Sequence, residues 1–471
     1  MTDLAAYHAE IAKKRVSFEP RGLKRIPALN SSMFPHQEAV TAFALEQGCS
    51  ALFLDTGLGK TFCALEWGCV IVEHTNRPVL MLAPLACAKQ HEQEAECRGI
   101  DAKAVIEPAQ VTSPRVYITN YDRLAKFDLA KFDGVILDES SILKSFTGKT
   151  TRTLIDGFRE TPYRVCCTAT PAPNDHTELG QHAAFLGVMS SPEMLSRWFI
   201  TDQSLMGRYR LKAPAVRPFW DWVASWARAI SKPSDLGFSD DGFALPDLNL
   251  QRHVVRADVS TDTGEEKDGQ YRLIRLPQTS ATSIHQEKRL TVAARADTIA
   301  AIVSAEPGEA WVIWCDTDYE ADALAKRLPD ATEVRGSMTL IQKERRLQAF
   351  TAGEVKHLIT KPSVAGYGLN WQHCARQAFI GLSFSYESFY QAVRRSWRFG
   401  QTRPVDVHVA CADTEEAIWN TISRKAGDHD AMKVEMTAAM QRAASPQRTL
   451  TTYAPAKPAQ LPAFLKEMAD A

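Results

Sequence analysis

The sequence has little that would suit a secreted or membrane protein. Its ten cysteines are scattered, with no Cys-x-x-Cys pair, so neither a disulfide framework nor a zinc ribbon is expected. Residues 1–5 lack the charged-then-apolar pattern of a signal peptide, and the apolar run at 79–83 is too short to cross a bilayer. We therefore expect a cytoplasmic protein that has no membrane partner.

An excess of charge is also missing. Lys and Arg number 55 and Asp and Glu number 56, which gives a formal net charge of −1. A protein with no bulk positive charge binds nucleic acid through a local groove, not through a generally basic surface. At 471 residues, 45% of them hydrophobic, the chain is long enough for two or three domains with ample core.

A phosphate-binding loop is predicted near the N-terminus. The apolar run at 51–54 is typical of a buried strand, residues 62–67 suit a helix, and the segment between them contains Gly-Leu-Gly-Lys-Thr. In this order, backbone N–H groups can surround the phosphates of a triphosphate, Lys60 can reach their oxygens, and the Thr61 hydroxyl can bind Mg²⁺. The strict motif has glycine in place of Leu54, so the segment alone is also compatible with an ordinary turn before a helix. The residues expected to bind the nucleotide here are Thr56, Gly57, Leu58, Gly59, Lys60 and Thr61.

Two adjacent carboxylates follow another predicted strand. The apolar run that ends at Asp138 and Glu139 predicts a short buried strand. Ligands gather at the carboxyl ends of parallel strands, so this pair can face the phosphate loop. Asp138 would hold Mg²⁺ through water, and Glu139 would orient or deprotonate the attacking water. The alternative is a solvated strand end, where acidic residues are common.

Alternating strand and helix patterns divide the chain into two α/β lobes. Strand-like runs recur at 51–54, 79–83, 115–119, 135–137 and 164–168, and again at 311–315, 357–360, 378–381 and 405–410. This rhythm predicts two doubly wound parallel sheets. We expect a lead-in over 1–30, lobes over 31–190 and 291–443, a mainly helical bridging region over 191–290, and a tail over 444–471.

The bridging region contains an aromatic stripe. Phe219, Trp222, Val223 and Trp226 are spaced at i, i+3, i+4 and i+7, as on one face of a helix. Such a stripe can stack on nucleic-acid bases, but it more often packs in a core. We expect core packing.

The segment 390–401 carries the strongest functional signal. Arg395 and Arg398 follow Gln391 by four and seven residues, so the three side chains share one helix face, as arginines aimed across a cleft would require. The run Gln-Ala-x-x-Arg-x-x-Arg-x-Gly-Gln matches every fixed position of the last motif of the Swi/Snf-type superfamily-two helicase ATPases, and the chain resembles that family. The resemblance implies an α/β fold with two tandem RecA-like doubly wound parallel-sheet lobes and a helical bridging insertion.

Other segments resemble motifs of that family in the same order, from about residue 30 to residue 412. The resemblance implies that Gln37 reads the adenine base, and that Gly368 and Gln391 also contact the nucleotide. It implies nucleic-acid contacts by Pro84, Thr119, Asn120, Thr170 and Ser363. Positions that depart from the family pattern are His36, His91 and Ser141, where the family usually has Tyr, Trp and His.

The resemblance implies an ATP-dependent translocase on double-stranded DNA that uses ATP and Mg²⁺. Its catalytic residues would be Lys60, Asp138, Glu139, Arg395 and Arg398, with Thr61 and Asp138 at the metal. Two alternatives stay open: a strand-separating helicase on DNA or RNA, and an ATP-regulated nucleic-acid-binding scaffold whose motor is idle. We expect a minimal bacterial or phage-like member in the host cytoplasm or on the nucleoid, with protein partners unknown.

Overall fold

The computed structural model describes residues 18–84, 87–201, 209–257, 281–365 and 369–444. Within these ranges, two parallel sheets are accompanied by one small antiparallel pair of strands. Helices connect the parallel strands and pack on the sheets, which gives the two α/β lobes that the sequence predicts.

A seven-stranded parallel sheet forms the first lobe. The seven strands of this sheet are β1 (Cys49–Leu54), β2 (Val79–Ala83), β3 (Ala102–Ala104), β4 (Val116–Asn120), β5 (Gly134–Asp138), β6 (Tyr163–Cys167) and β9 (Ala227–Ile230). The separate antiparallel pair consists of β7 (Phe199–Thr201) and β8 (Tyr209–Leu211). The order in the sheet is β3-β4-β2-β5-β6-β1-β9. Strands β1, β2, β4 and β5 are buried along their whole length, as expected where helices cover both faces of a parallel sheet.

The second lobe contains a six-stranded parallel sheet. Its strands are β10 (Leu248–Val255), β11 (Trp311–Trp314), β12 (Thr332–Val334), β13 (His357–Thr360), β14 (Arg376–Phe379) and β15 (Val405–Ala412). The order is β10-β15-β14-β11-β13-β12. Strand β10 therefore lies at one edge and pairs only with β15 among the described strands.

The helices follow the strands in the alternating order that was predicted. In the first lobe they are α1 (Pro35–Gln47), α2 (Lys60–Thr75), α3 (Ala88–Cys97), α4 (Lys149–Gly157), α5 (Leu179–Leu186), α6 (Ser191–Trp198) and α7 (Val216–Trp226). In the second lobe they are α8 (Ala281–Ala305), α9 (Asp318–Arg327), α10 (Leu340–Thr351), α11 (Pro362–Ala365), α12 (Tyr386–Val393) and α13 (Glu416–Ala444). In the described part of the chain, no helix is long and apolar enough to cross a membrane.

The long helix α13 packs into the cores of both lobes. Near its start, Ile418 and Ile422 are buried in the second lobe. Near its end, Met432 and Met436 are buried in the first lobe, where α13 contacts α7 and β9. One continuous helix therefore connects the two lobes.

The structure differs from the sequence-based expectation for the bridging region. Residues 227–230 form an edge strand of the first sheet, and residues 248–255 form an edge strand of the second. The aromatic stripe was predicted correctly to pack in a core, because Phe219, Trp222 and Trp226 are fully buried in the first lobe.

Candidate active site

A cavity of about 790 Å³ lies between the lobes. The first lobe contributes the loop after β1 and the acidic pair Asp138 and Glu139 at the end of β5, both at the carboxyl ends of parallel strands. The second lobe contributes Gln391, Arg395 and Arg398. Ligands of open α/β sheets bind at this edge of a sheet, so the topology places a ligand site where the motifs of both lobes meet.

The loop before α2 requires its glycines. Gly57 and Gly59 have φ values of 96° and 82°, in the left-handed region that favours glycine. A Cβ atom on Gly59 would lie 2.2 Å from Nε2 of Gln37, and one on Gly57 would lie 2.8 Å from Cβ of Phe399 in the other lobe. Thr56 and Thr61 line the cavity, while Leu58 is buried beneath it.

Lys60 is the first residue of α2 and points into the cavity. Its Nζ donates a hydrogen bond of 2.9 Å to the backbone oxygen of Leu54. Burial lowers the pKa of Lys60, and the nearby carboxylates of Glu139, Asp55 and Asp138 oppose that effect. The ammonium group thus lies at the glycine loop, where the negative charge of a ligand would stabilise its protonated form against the effect of burial.

Asp138 is buried and interacts with His91, which was noted in the sequence only as a departure from the pattern of the resembling family. Nε2 of His91 lies 2.8 Å from Oδ2 of Asp138, and both side chains line the cavity. Burial disfavours the charged imidazole, but the hydrogen bond with Asp138 leaves the pKa of His91 raised. One carboxylate oxygen of Asp138 is therefore already engaged by His91.

Glu139 has an unusual backbone and contacts both lobes. Its φ of 52° lies in the left-handed region, which is rare for a residue other than glycine. Oε2 accepts hydrogen bonds from Nε2 of Gln391 at 3.3 Å and from Oγ1 of Thr168 at 3.4 Å. Burial raises the pKa of Glu139 to about 7, against the opposing effects of Lys60 and Arg395.

The arginines concentrate positive charge on the second lobe's side of the cavity. Arg395 donates to the backbone oxygen of Leu369 at 3.0 Å and to Oε1 of Gln391 at 3.2 Å. Burial, together with the positive charges of Arg395 and Arg394, lowers the pKa of Arg398 to about 10. The buried Nε of Arg398 has no hydrogen-bond partner among the described residues. This combination suits an anionic ligand.

An aromatic cluster closes one end of the cavity. The rings of Phe34 and Phe243 lie 5.0 Å apart, and those of Phe243 and Phe399 lie 4.8 Å apart. Gln37, expected to read adenine, donates from Nε2 to the backbone oxygen of Leu58 and accepts at Oε1 from the backbone N–H of Phe34. Sequence reasoning missed Phe243 and Phe399, although Phe399 stands inside the arginine motif.

A buried ion cluster beside the glycine loop was also missed. Asp55 pairs with Arg394 at 3.2 Å and with Lys433 of α13 at 2.9 Å, and it accepts a hydrogen bond from the Tyr390 hydroxyl. Burial opposes ionisation of Asp55, yet Arg394 and Lys433 hold its pKa well below the usual range. Arg394 also donates to the backbone oxygen of Thr56 at 3.3 Å. The cluster connects the loop with α12 and α13.

The residues expected to contact nucleic acid differ in their exposure to solvent. Thr119 and Thr170 have fully buried side chains, which do not reach the surface in this arrangement. Asn120 is also buried, and its Oδ1 accepts the backbone N–H of Arg123 at 3.2 Å. Pro84 and Ser363 are accessible to solvent. Gly368, expected at the nucleotide, lies outside the described residues.

Ser141, at the position where the resembling family has histidine, is buried beside a smaller cavity of about 340 Å³. This cavity also lies between the lobes, because Lys144 of the first lobe forms an ion pair there with Glu387 of the second. Glu139 lines both cavities. Ser141 therefore lies at the interface between the lobes, and a substitution there would alter that interface.

Two protein-family models match successive parts of this chain. Residues 36–212 match the model of the SNF2-related domain, and residues 294–400 match that of the helicase conserved C-terminal domain. Curated proteins provide no match. Among solved structures, the Sulfolobus solfataricus SWI2/SNF2 ATPase core in complex with dsDNA is similar over 88% of this chain and 95% of that chain, with 14% identity and a TM-score of 0.40.

Proposed function

We propose that this chain, which belongs to the Swi/Snf type of superfamily-two helicase ATPases, hydrolyses ATP between its lobes and thereby moves along duplex DNA. As a DNA-dependent ATPase of superfamily two, it carries the SNF2-related and helicase C-terminal domains on successive parts of the chain. The observation that supports the location of the site is the cavity in which Lys60, Asp138 and Glu139 of one lobe meet Arg395 and Arg398 of the other.

The lining of the cavity suits a nucleotide with its metal. The loop around Gly57 and Gly59 would surround the phosphates, and Lys60 would leave the carbonyl of Leu54 to reach their oxygens. Hydroxyl and carboxylate oxygens are ligands that Mg²⁺ prefers, and Thr61 and Asp138 both line the cavity. Thr61 and Asp138 would hold the ion, and its positive charge would offset part of the negative charge of the phosphates.

Glu139 is the candidate that acts on the attacking water. Its carboxylate lies between the lobes, held by Gln391 and Thr168, so its position depends on closure of the cleft. A raised pKa suits a group that accepts a proton near neutral pH. Arg395 and Arg398 would stabilise the negative charge that spreads over the transferred phosphoryl group.

Movement along DNA would follow from opening and closing of the same cleft. Each lobe would hold the sugar-phosphate backbone, so each ATP cycle would shift one grip relative to the other. The solvent-accessible Pro84 and Ser363 stand on different lobes and are our candidates for this contact. Because phosphates dominate such contacts, binding should depend little on sequence and strongly on salt.

The test compares ATP turnover without nucleic acid and with duplex DNA, single-stranded DNA or RNA. We expect duplex DNA to stimulate severalfold more than the other two, and the motor to displace a triplex-forming third strand without separating a long duplex. Glu139→Gln serves as the inactive control. Equal stimulation by single strands together with efficient unwinding of a forked duplex would favour the strand-separating helicase. No stimulation with any nucleic acid would favour the idle scaffold.

A further inference from the structure

A second groove between the lobes has no role in the proposed reaction. Its volume is about 770 Å³, and it is formed by α12, α13 and the edge strand β10, together with residues near β9. Its apolar side chains are unusually accessible: Leu250 is 46% exposed and Val434 is 69% exposed. Together with Leu248, Phe389 and Trp397 they form an apolar surface of the kind that usually binds another segment.

Helix α13 presents one face to this groove. The lining residues of α13 recur every three or four positions and include two adjacent pairs: Ala426, Asp430, Lys433 with Val434, Thr437 with Ala438, and Gln441. Such spacing marks a single stripe along a helix. The stripe reaches to within three residues of Ala444, where α13 ends. The chain thus leaves α13 at the groove itself.

The sequence that follows α13 has the pattern of a groove-binding helix. Residues 445–471 lie outside the described residues, so only their sequence bears on this point. Leu461, Phe464, Leu465 and Met468 are spaced at i, i+3, i+4 and i+7, which predicts an apolar stripe on a helix. The charged residues of this stretch fall on other faces of that helix: Lys466, Glu467 and Asp470.

We propose that residues 461–470 bind in the α12–α13–β10 groove as an amphipathic helix, with Phe464 and Leu465 against Leu250 and Val434. Helix-in-groove binding uses anchors at this i, i+3, i+4, i+7 spacing. The α13 side of the groove, from 426 to 441, is about 22 Å long at 1.5 Å per residue. The connecting residues 445–460 span up to about 55 Å when extended, enough to return along the groove.

Tethering favours this occupant over others. A segment joined to the rim of a groove by a short connection has an effective concentration in the millimolar range, far above that of a separate copy or a free protein. The groove also contains Asp55 of the first lobe and Arg394 of the second, which are paired with each other. A helix bound there would contact both lobes and favour the arrangement in which this pair is formed.

Photo-crosslinking of the full-length chain tests the proposal. We would place p-benzoylphenylalanine at position 464 and, as the matched control, at Ala463 on another face of the same predicted helix. At low protein concentration, we expect the probe at 464 to crosslink to peptides containing Leu250 or Val434. We expect the probe at 463 to give far fewer of these products. Crosslinks from both positions at equal yield, or none to the groove, would overturn the proposal.

Two further arms identify the occupant. Val434→Asp should abolish the crosslinks from position 464. Since Val434 is mostly exposed, this variant should keep the wild-type far-UV circular dichroism spectrum, which shows that it is folded. Unchanged crosslinks in the Val434→Asp variant would overturn the proposal.

A mixture of isotope-labelled and unlabelled chains shows whether the linked peptides come from one molecule. Crosslinks only between copies would establish a second copy as the occupant and overturn binding within one chain. Binding of residues 461–470 would also be overturned if probes in residues 1–17, and not those at 464, reached the groove.

Discussion

Replacing Arg398 with lysine separates the charge of this side chain from its planar shape. Burial and the neighbouring Arg395 and Arg394 lower the pKa of Arg398 from 12.5 to about 10. A lysine at this position would still offer a positive charge, but as a compact ammonium group on a flexible stem. What the substitution removes is the planar fork that matches phosphate oxygens.

We expect Arg398→Lys to bind ATP and DNA almost normally but to lose about 10³-fold in turnover, equivalent to about 4 kcal/mol in the barrier. The assay is steady-state ATP hydrolysis with saturating duplex DNA, beside equilibrium binding of a fluorescent ATP analogue. The control is Arg403→Lys, because Arg403 is 45% exposed and forms a surface ion pair of 2.9 Å with Glu309. Such a pair contributes about 0–1 kcal/mol, and the control should stay active. Wild-type turnover in Arg398→Lys would refute the two-lobe site.

Three further predictions concern the first lobe's side of the cavity. Gly59→Ala should weaken ATP binding about tenfold or more, equivalent to about 1.4 kcal/mol, because the new methyl group would collide with the side chain of Gln37. The control is Gly99→Ala, which also has a positive φ but lies in open space and should leave the affinity for ATP unchanged. Glu139→Gln should keep ATP bound while turnover stops, because the amide cannot accept a proton from water; measurable multiple turnover would remove that role. His91→Ala should raise the Mg²⁺ concentration needed for tight nucleotide binding about tenfold, because the substitution removes the hydrogen bond that orients Asp138. Nucleotide binding without Mg²⁺ is the control, and an unchanged Mg²⁺ requirement would contradict this prediction.

Elements whose signals are local were predictable from the sequence. The strands at 49–54 and 134–138 are short apolar runs, and each is followed directly by the polar residues that line the cavity. Because parallel strands present their carboxyl ends at one edge, two such segments are brought together without knowledge of the full topology. That reasoning applies to Lys60 and the acidic pair, whereas Arg395 and Arg398 were predicted to face a cleft from their spacing on one helix face, and all of these residues line one cavity.

The edge strands were missed because tertiary pairing stabilises them more than their own pattern does. All eight residues of β10 are exposed or half-buried, so no buried apolar run marks this strand. Its partner β15 is 157 residues away, as measured from Asn249 to Asp406. Strand β12 has only three residues. Motif order likewise did not reveal which side chains face outward, and Thr119 and Thr170 proved to be buried.

The ion cluster at Asp55 shows why coupling between the lobes is hard to see in a sequence. Asp55 is 335 residues from Tyr390 and 378 residues from Lys433 in the sequence, and Arg394 lies between these two. Removing one partner of a buried pair costs about 3–5 kcal/mol, because the remaining charge stays desolvated. Opening of the cleft must therefore either expose these charges to water or keep them paired. Lys433 belongs to the helix that packs into both lobes, and Arg394 belongs to the second lobe, so Asp55 connects the glycine loop with the second lobe through two separate ion pairs.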